Sequence, residues 1–161
     1  MTADSGRTAV YEAEEAAFGG TDLDDIRPIG ELAAAATQLT SGEWWRGSSG
    51  PEVVVTRARR GVVSSSARRV EVPGRPVEIR LAARQATTAT LTHELAHALA
   101  GIRHGHDGRF RAAHVDVCAV LGDRSAATSL QTAYIAFGVA PGPRCWLSPN
   151  WVIGEGFVVV R

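Results

Sequence analysis

The stretch "LTHELAHALAGIRHGHDGRFRAAH", residues 91–114, holds all five histidines of a 161-residue chain: His93, His97, His104, His106 and His114. It reads as helix, loop, helix. Leu91, Leu95, Ala98 and Leu99 recur at helical spacing. Thr87 or Thr88 offers a hydroxyl to the unsatisfied amides of the first turn, and Gly101 is a natural C-terminal stop. After the loop "GIRHGHDG", Asp107 can cap a second helix over "RFRAAHVDVCAVLG", with Phe110, Ala113, Val117 and Leu121 on its apolar face. An α-helix turns once per 3.6 residues, so residues four apart project from one side. His93 and His97 therefore share a face, and Glu94, displaced by about 100°, points beside them.

Two imidazoles so placed can each put a nitrogen ~2 Å from one Zn²⁺. A carboxylate beside the metal suits a base acting on activated water. The pattern is H-E-x-x-H, the helical motif of zinc metalloproteases. A helical surface can carry so short a motif innocently. Here it follows a strand, sits in an otherwise apolar helix, and is followed at once by more histidines. Unpartnered polar groups in a core are costly, so these side chains need a shared task.

A catalytic zinc takes three protein ligands and keeps one position open. His104, His106 and His114 are the candidates for the third. His106 has the most comfortable reach: Gly105 frees the backbone before it, and Asp107 with Phe110 anchors the helix after it. His114 shares a face with Phe110, Val117 and Leu121, and reads first as a core histidine bonded to a neighbour. Asp116 and Asp123 are candidates to orient ligand imidazoles. Cys118 reads as core rather than as a soft ligand. His104, Arg109 and Tyr134 are candidates for stabilising an oxyanion, and the sequence does not choose among them.

Upstream, "RTAVYEAEEAAFGG" predicts a helix with Val10, Tyr11, Ala13, Ala17 and Phe18 on one side, and "IGELAAAATQLT" predicts a second. "SGEWWRGSSGP" reads as a loop in which Trp44 and Trp45 begin a strand or cover the core edge. "EVVVTRARR", "GVVSSSARRVEV" and "RPVEIRLAAR" predict three strands. "DRSAATSLQTAYIAFG" predicts a last helix. The Pro- and Gly-rich tail, residues 139–161, is expected to wrap back onto the body and end in a short strand at 157–160.

Length and composition bound the rest. A chain of 161 residues with 45% hydrophobic and 21% charged residues is expected to be one soluble domain over residues 1–161. A net charge of +0 gives no bulk drive toward nucleic acid or membrane. All basic residues are Arg, and eight fall within residues 57–84 against Glu71 and Glu78. That band could face a nucleic acid, but arginine on alternating strands usually occupies the solvated face, so nucleic acid is not the favoured partner. The first residues do not read as a secretory signal, no run approaches a membrane span, and Cys118 and Cys145 make no CxxC pair. A cytoplasmic protein with reduced thiols is expected.

"HELAH…HDGRF" resembles the HExxH…H-G/D-x-x-F pattern of SprT-like and WLM-type zincin metallopeptidases. The whole chain more closely resembles a family of actinobacterial and phage metallohydrolases. The resemblance rests on "AVYEAEEAAF", "LTHELAHAL" with "HGHDGRFRAAHVDV", and "LGDRSAATSLQTAYIAFGV", covering roughly residues 7–139. It departs from SprT-like proteins at Asp107, where Gly is common, although WLM-type proteins carry Asp there. The resemblance implies His93, His97 and His106 as ligands of one Zn²⁺ and Glu94 as catalytic acid/base. It implies an α+β, zincin-like fold, a small twisted sheet beside the HExxH helix with flanking helices.

The expected activity is zinc-dependent hydrolysis of a peptide or protein substrate. Zn²⁺ would activate water and polarise the scissile carbonyl, and Glu94 would move the proton to the leaving amine. One rival is a non-catalytic zinc module binding nucleic acid or protein. Structural zinc sites, however, are closed and Cys-rich, and Glu94 would then have no purpose. The other is a metal hydrolase of a non-peptide substrate, since the motif specifies activated water and not the bond attacked.

Overall fold

The computed structural model describes residue 4 and residues 6–74 and 76–149. Among these, six α-helices and a three-stranded mixed sheet make an α+β architecture. Helices α1 (Arg7–Phe18) and α2 (Ile29–Thr40) follow the predicted spans. The tryptophan segment differs from the expected loop: it forms the short helix α3 (Glu43–Gly47), which buries Trp45. The Trp45 indole donates to Pro51 O at 2.9 Å, so its polar atom is satisfied inside the core.

Strands β1 (Val53–Arg57), β2 (Ser66–Arg69) and β3 (Val77–Leu81) lie in the order β1-β3-β2. β3 is central, parallel to β1 and antiparallel to β2. Its Val77, Ile79 and Leu81 are fully buried, the period-two pattern of a strand with one core face. β2 is much shorter than the predicted strand over 61–72. Ser65 explains its start: its amide donates to Gln85 Oε1 and its hydroxyl accepts from Ala82 N, which takes this backbone out of the ladder.

Helix α4 (Thr88–Ala100) runs through the middle of the molecule, packed against α5 (Gly108–Leu121), α2, β2 and β3. Thr87 caps it by accepting from Thr90 N at 3.0 Å. Asp107 caps α5 by accepting from Arg109 N and Phe110 N. Asp123 caps α6 (Arg124–Ala136) by accepting from Ala126 N. Val10, Trp45, Ile79, Leu91, Leu95, Phe110 and Leu130 share one hydrophobic core.

The tail returns over α5: Gly142 N donates to Gly108 O, Arg144 and Trp146 both bind Asp116, and Trp44 Nε1 reaches Leu147 O. The strand expected at 157–160 lies outside the described residues. No described helix is long and apolar enough to cross a membrane.

Candidate metal centre

The centre is assembled at the junction of α4 and α5. α4 carries His93 and His97 on one face. Gly101, at φ 105°, ends the helix, a single turn Ile102–His104 follows, and Gly105, at φ 55°, redirects the chain. Both conformations lie in the left-handed half of backbone space that glycine enters freely. The return brings His106 back over α4. One ligand nitrogen from each of His93, His97 and His106 then lies within 4.8 Å of the others. Phe110 packs against all three rings, its centroid 4.9, 4.4 and 4.9 Å from those of His93, His97 and His106.

Two carboxylates set the protonation of this cluster. His93 Nδ1 donates to Glu14 Oε1 at 2.6 Å, and His106 Nδ1 donates to Asp4 Oδ2 at 2.5 Å. A neutral imidazole carries one N–H. When both imidazoles are neutral and both Nδ1 protons are committed, the two Nε2 atoms turn lone pairs toward one another, 3.2 Å apart. Lone pairs at that distance repel, and either a proton on His93 Nε2 donated to His106 Nε2 or a cation held by both nitrogens relieves the repulsion. Two nitrogens each ~2.05 Å from a tetrahedral metal would stand about 3.3 Å apart. The donor set therefore fits Zn²⁺, with two of its three imidazoles, those of His93 and His106, backed by a carboxylate as zinc-bound histidines usually are.

Burial shapes the charges. It pushes the His97 pKa down to about 3, helped by His93 and His106. It also lowers His106 and His114. Burial opposes a charge on His93 too, but Glu14 outweighs it and raises that pKa. Glu14 stays far below the ordinary carboxylate range despite its burial, because His93 and His114 face it. A metal needs deprotonated ligands, and His97 and His106 are held in that form.

Glu94 is 6% exposed, and desolvation raises its pKa. It lines a cleft of ≈ 330 Å³ with Tyr11, Ser64 and Ser65. Tyr11 is not the core residue its place in the helix predicts. It is 44% exposed and stacks on His93 with centroids 5.4 Å apart and planes 10° from parallel.

Other expected roles move. His104 stands outside the converging nitrogens, its Nδ1 bonded to Asp107 Oδ2 at 2.9 Å. His114 is wholly buried, with Nε2 at 3.0 Å from Thr92 Oγ1 and Nδ1 at 2.7 Å from the Tyr134 hydroxyl. Tyr134 is therefore sealed in the core and cannot meet an oxyanion. Arg109 lies over Trp146, 6.0 Å from its ring centroid. Neither His104 nor Arg109 lines the Glu94 cleft, whereas Tyr11 does. Asp116 and Asp123 do not orient the clustered imidazoles: Asp116 binds Arg144 and Trp146, and Asp123 caps α6. Cys118 is a core thiol, its pKa pushed up to about 12 by burial. The residues that orient the clustered imidazoles of His93 and His106, Glu14 and Asp4, are ones that sequence reasoning missed. Glu14 had a signal, since it sits four residues from both Val10 and Phe18 on a buried stripe. Asp4 had none.

The chain matches no family model, no curated protein and no solved structure.

Proposed function

We propose that the chain is a zinc-dependent hydrolase with a zincin-like fold, acting as a metallopeptidase on peptide or protein substrates with one Zn²⁺ per chain. The observation that carries this reading is the 3.2 Å approach of His93 Nε2 and His106 Nε2, each ring backed by a carboxylate on Nδ1. The resemblance of HELAH…HDGRF to SprT-like and WLM-type metallopeptidases points the same way. His93, His97 and His106 would hold the metal. Zn²⁺ when bound supplies Lewis-acid activation of water and of the scissile carbonyl.

Glu94 follows His93 directly and lines the open cleft rather than joining the nitrogens. Its raised pKa suits a group that takes a proton from the attacking water and returns it to the leaving amine. Tyr11, Ser64 and Ser65 border the space in which a peptide would lie. A cytoplasmic location accords with two free thiols, Cys118 and Cys145.

Glu94→Gln tests the assignment. The variant should keep one Zn²⁺ by elemental analysis and lose at least ~10²–10⁴-fold in turnover of a quenched-fluorescent peptide library. Loss of the metal would make Glu94 a ligand. Undiminished turnover would remove it as the base.

A further inference from the structure

We propose that a basic cavity at the C-terminal end of α4 receives an acidic side chain of the substrate, about three residues from the scissile bond. The inference rests on the peptidase reading above and names its substrate class. A cavity of ≈ 700 Å³ lies against Ala100 and the turn after it, lined by Arg69, Arg103 and Arg109 with His104 beside them. The three arginines come from the end of β2, the turn Ile102–His104 and the first turn of α5. The fold, not a run of sequence, gathers them.

Among the described residues, none of these three guanidiniums forms an ion pair with a carboxylate. The arginines that form ion pairs among the described residues are Arg68 and Arg80, both on Glu78, and Arg144 on Asp116. Arg109 also has a buried Nε with no hydrogen-bond partner among the described residues. Glu71 lines the same wall and is itself engaged. Three guanidiniums and one carboxylate leave the lining with an excess of positive charge, and an anion placed among the arginines would offset it. A guanidinium can grip a carboxylate with two parallel N–H···O bonds.

The position follows from the frame. β2 packs alongside α4. Ser64 and Ser65, just before β2, line the Glu94 cleft, and Arg69, its last residue, lines the basic cavity. From Glu94 to Gly101 is seven residues, ~10 Å along a helix rising 1.5 Å per residue. An extended peptide covers that in about three residues at ~3.3 Å each. A nucleic acid suits the same charges less well. Its repeating phosphates need a continuous basic track, and Glu78 withdraws Arg68 and Arg80 from any such track.

Zinc-loaded Glu94→Gln protein can be titrated by fluorescence anisotropy with labelled peptides bearing Glu, Gln or Lys at successive positions. In parallel, the wild-type chain can be given a random peptide library and the cleavage sites read by mass spectrometry. The Glu peptide should bind at least about tenfold tighter than its Gln counterpart, and Arg103→Glu should turn the preference toward Lys. Cleaved sequences should be enriched in Asp and Glu about three residues to one side of the cut. Equal binding of the three peptides overturns the inference, as does tighter binding of a 20-mer oligothymidylate than of the acidic peptide. Cleavage without acidic enrichment overturns it and leaves the peptidase reading standing. Acid-selective binding without any cleavage leaves the acidic-peptide site standing and sinks the peptidase reading.

Discussion

The histidine cluster rests on two carboxylate–imidazole pairs built alike and set in different ground. Glu14 projects from the middle of α1, between the buried Val10 and Phe18, and its side chain is 16% exposed. It holds His93 and also lies 3.3 Å from the buried His114. Asp4 precedes α1, and its side chain is 36% exposed. It holds His106 by Nδ1 and by the backbone amide at 3.3 Å. In both pairs the carboxylate holds the proton on Nδ1 and leaves Nε2 to face the converging nitrogens. Water can replace Asp4, whereas nothing can easily replace Glu14. The same chemical device should thus cost very different amounts to remove.

The largest effects should fall on the nitrogens that both pairs serve. His93→Ala or His97→Ala should abolish nearly all zinc binding, and His106→Ala should weaken it by orders of magnitude. Elemental analysis after dialysis, followed by competition against a chelator of known affinity, would measure this. Full metal content in the His93 and His97 variants would end the zinc reading and leave the two pairs as ordinary carboxylate–imidazole hydrogen bonds.

Glu14→Gln comes next. It keeps the size and one acceptor oxygen but loses the charge shared by His93 and His114. Zinc affinity should fall about 10–100-fold. Because buried donors lose their partner, the metal-free protein should also lose about 1–3 kcal/mol in urea unfolding. Asp4→Asn should cost only about tenfold in affinity, the lower end of that range, with stability within about 0.5 kcal/mol of wild type. If Asp4→Asn were the more damaging of the two, depth of burial would not be what separates the pairs.

The two pairs also differ in how far the sequence disclosed them. The convergence of the three histidines was readable because His93, His97 and His106 sit in one helix–loop–helix, where spacing and the glycines at 101 and 105 dictate direction. Their carboxylate partners lie 79 and 102 residues away in the chain. Spacing says nothing over such separations; the docking of α1 and of the residue before it decides them. Glu14 left a trace as an acid in an apolar stripe, and Tyr11 hid in the same stripe because one turn of a helix does not show where the core ends. Asp116 drew attention by lying near the histidines in sequence, while its carboxylate turns to the returning tail. The helical turns and β3 were legible from period and caps. α3 and the early start of predicted β2 were not, since Trp45 and Ser65 owe their conformations to partners elsewhere in the fold.

The smallest expected effect belongs to a more exposed carboxylate–imidazole pair, His104 with Asp107. It has the same atoms as the other two, Nδ1 facing a carboxylate oxygen at 2.9 Å, yet its side chains are 37% and 49% exposed and its ring does not join the converging nitrogens. Asp107 keeps its role without His104, because its other oxygen accepts from Arg109 N and Phe110 N to start α5. That cap, not the imidazole, fixes the helix behind His106. An exposed pair of this kind contributes about 0–1 kcal/mol, so His104→Ala should change zinc affinity by less than about fivefold. Asp107→Ala, which removes the cap itself, should cost about 1 kcal/mol of stability and loosen His106 more than His104→Ala does. The chelator competition that ranks Glu14 above Asp4 would rank these two as well. Should His104→Ala prove as damaging as His106→Ala, the ring would be reaching the metal after all, and the third ligand would have to be reassigned.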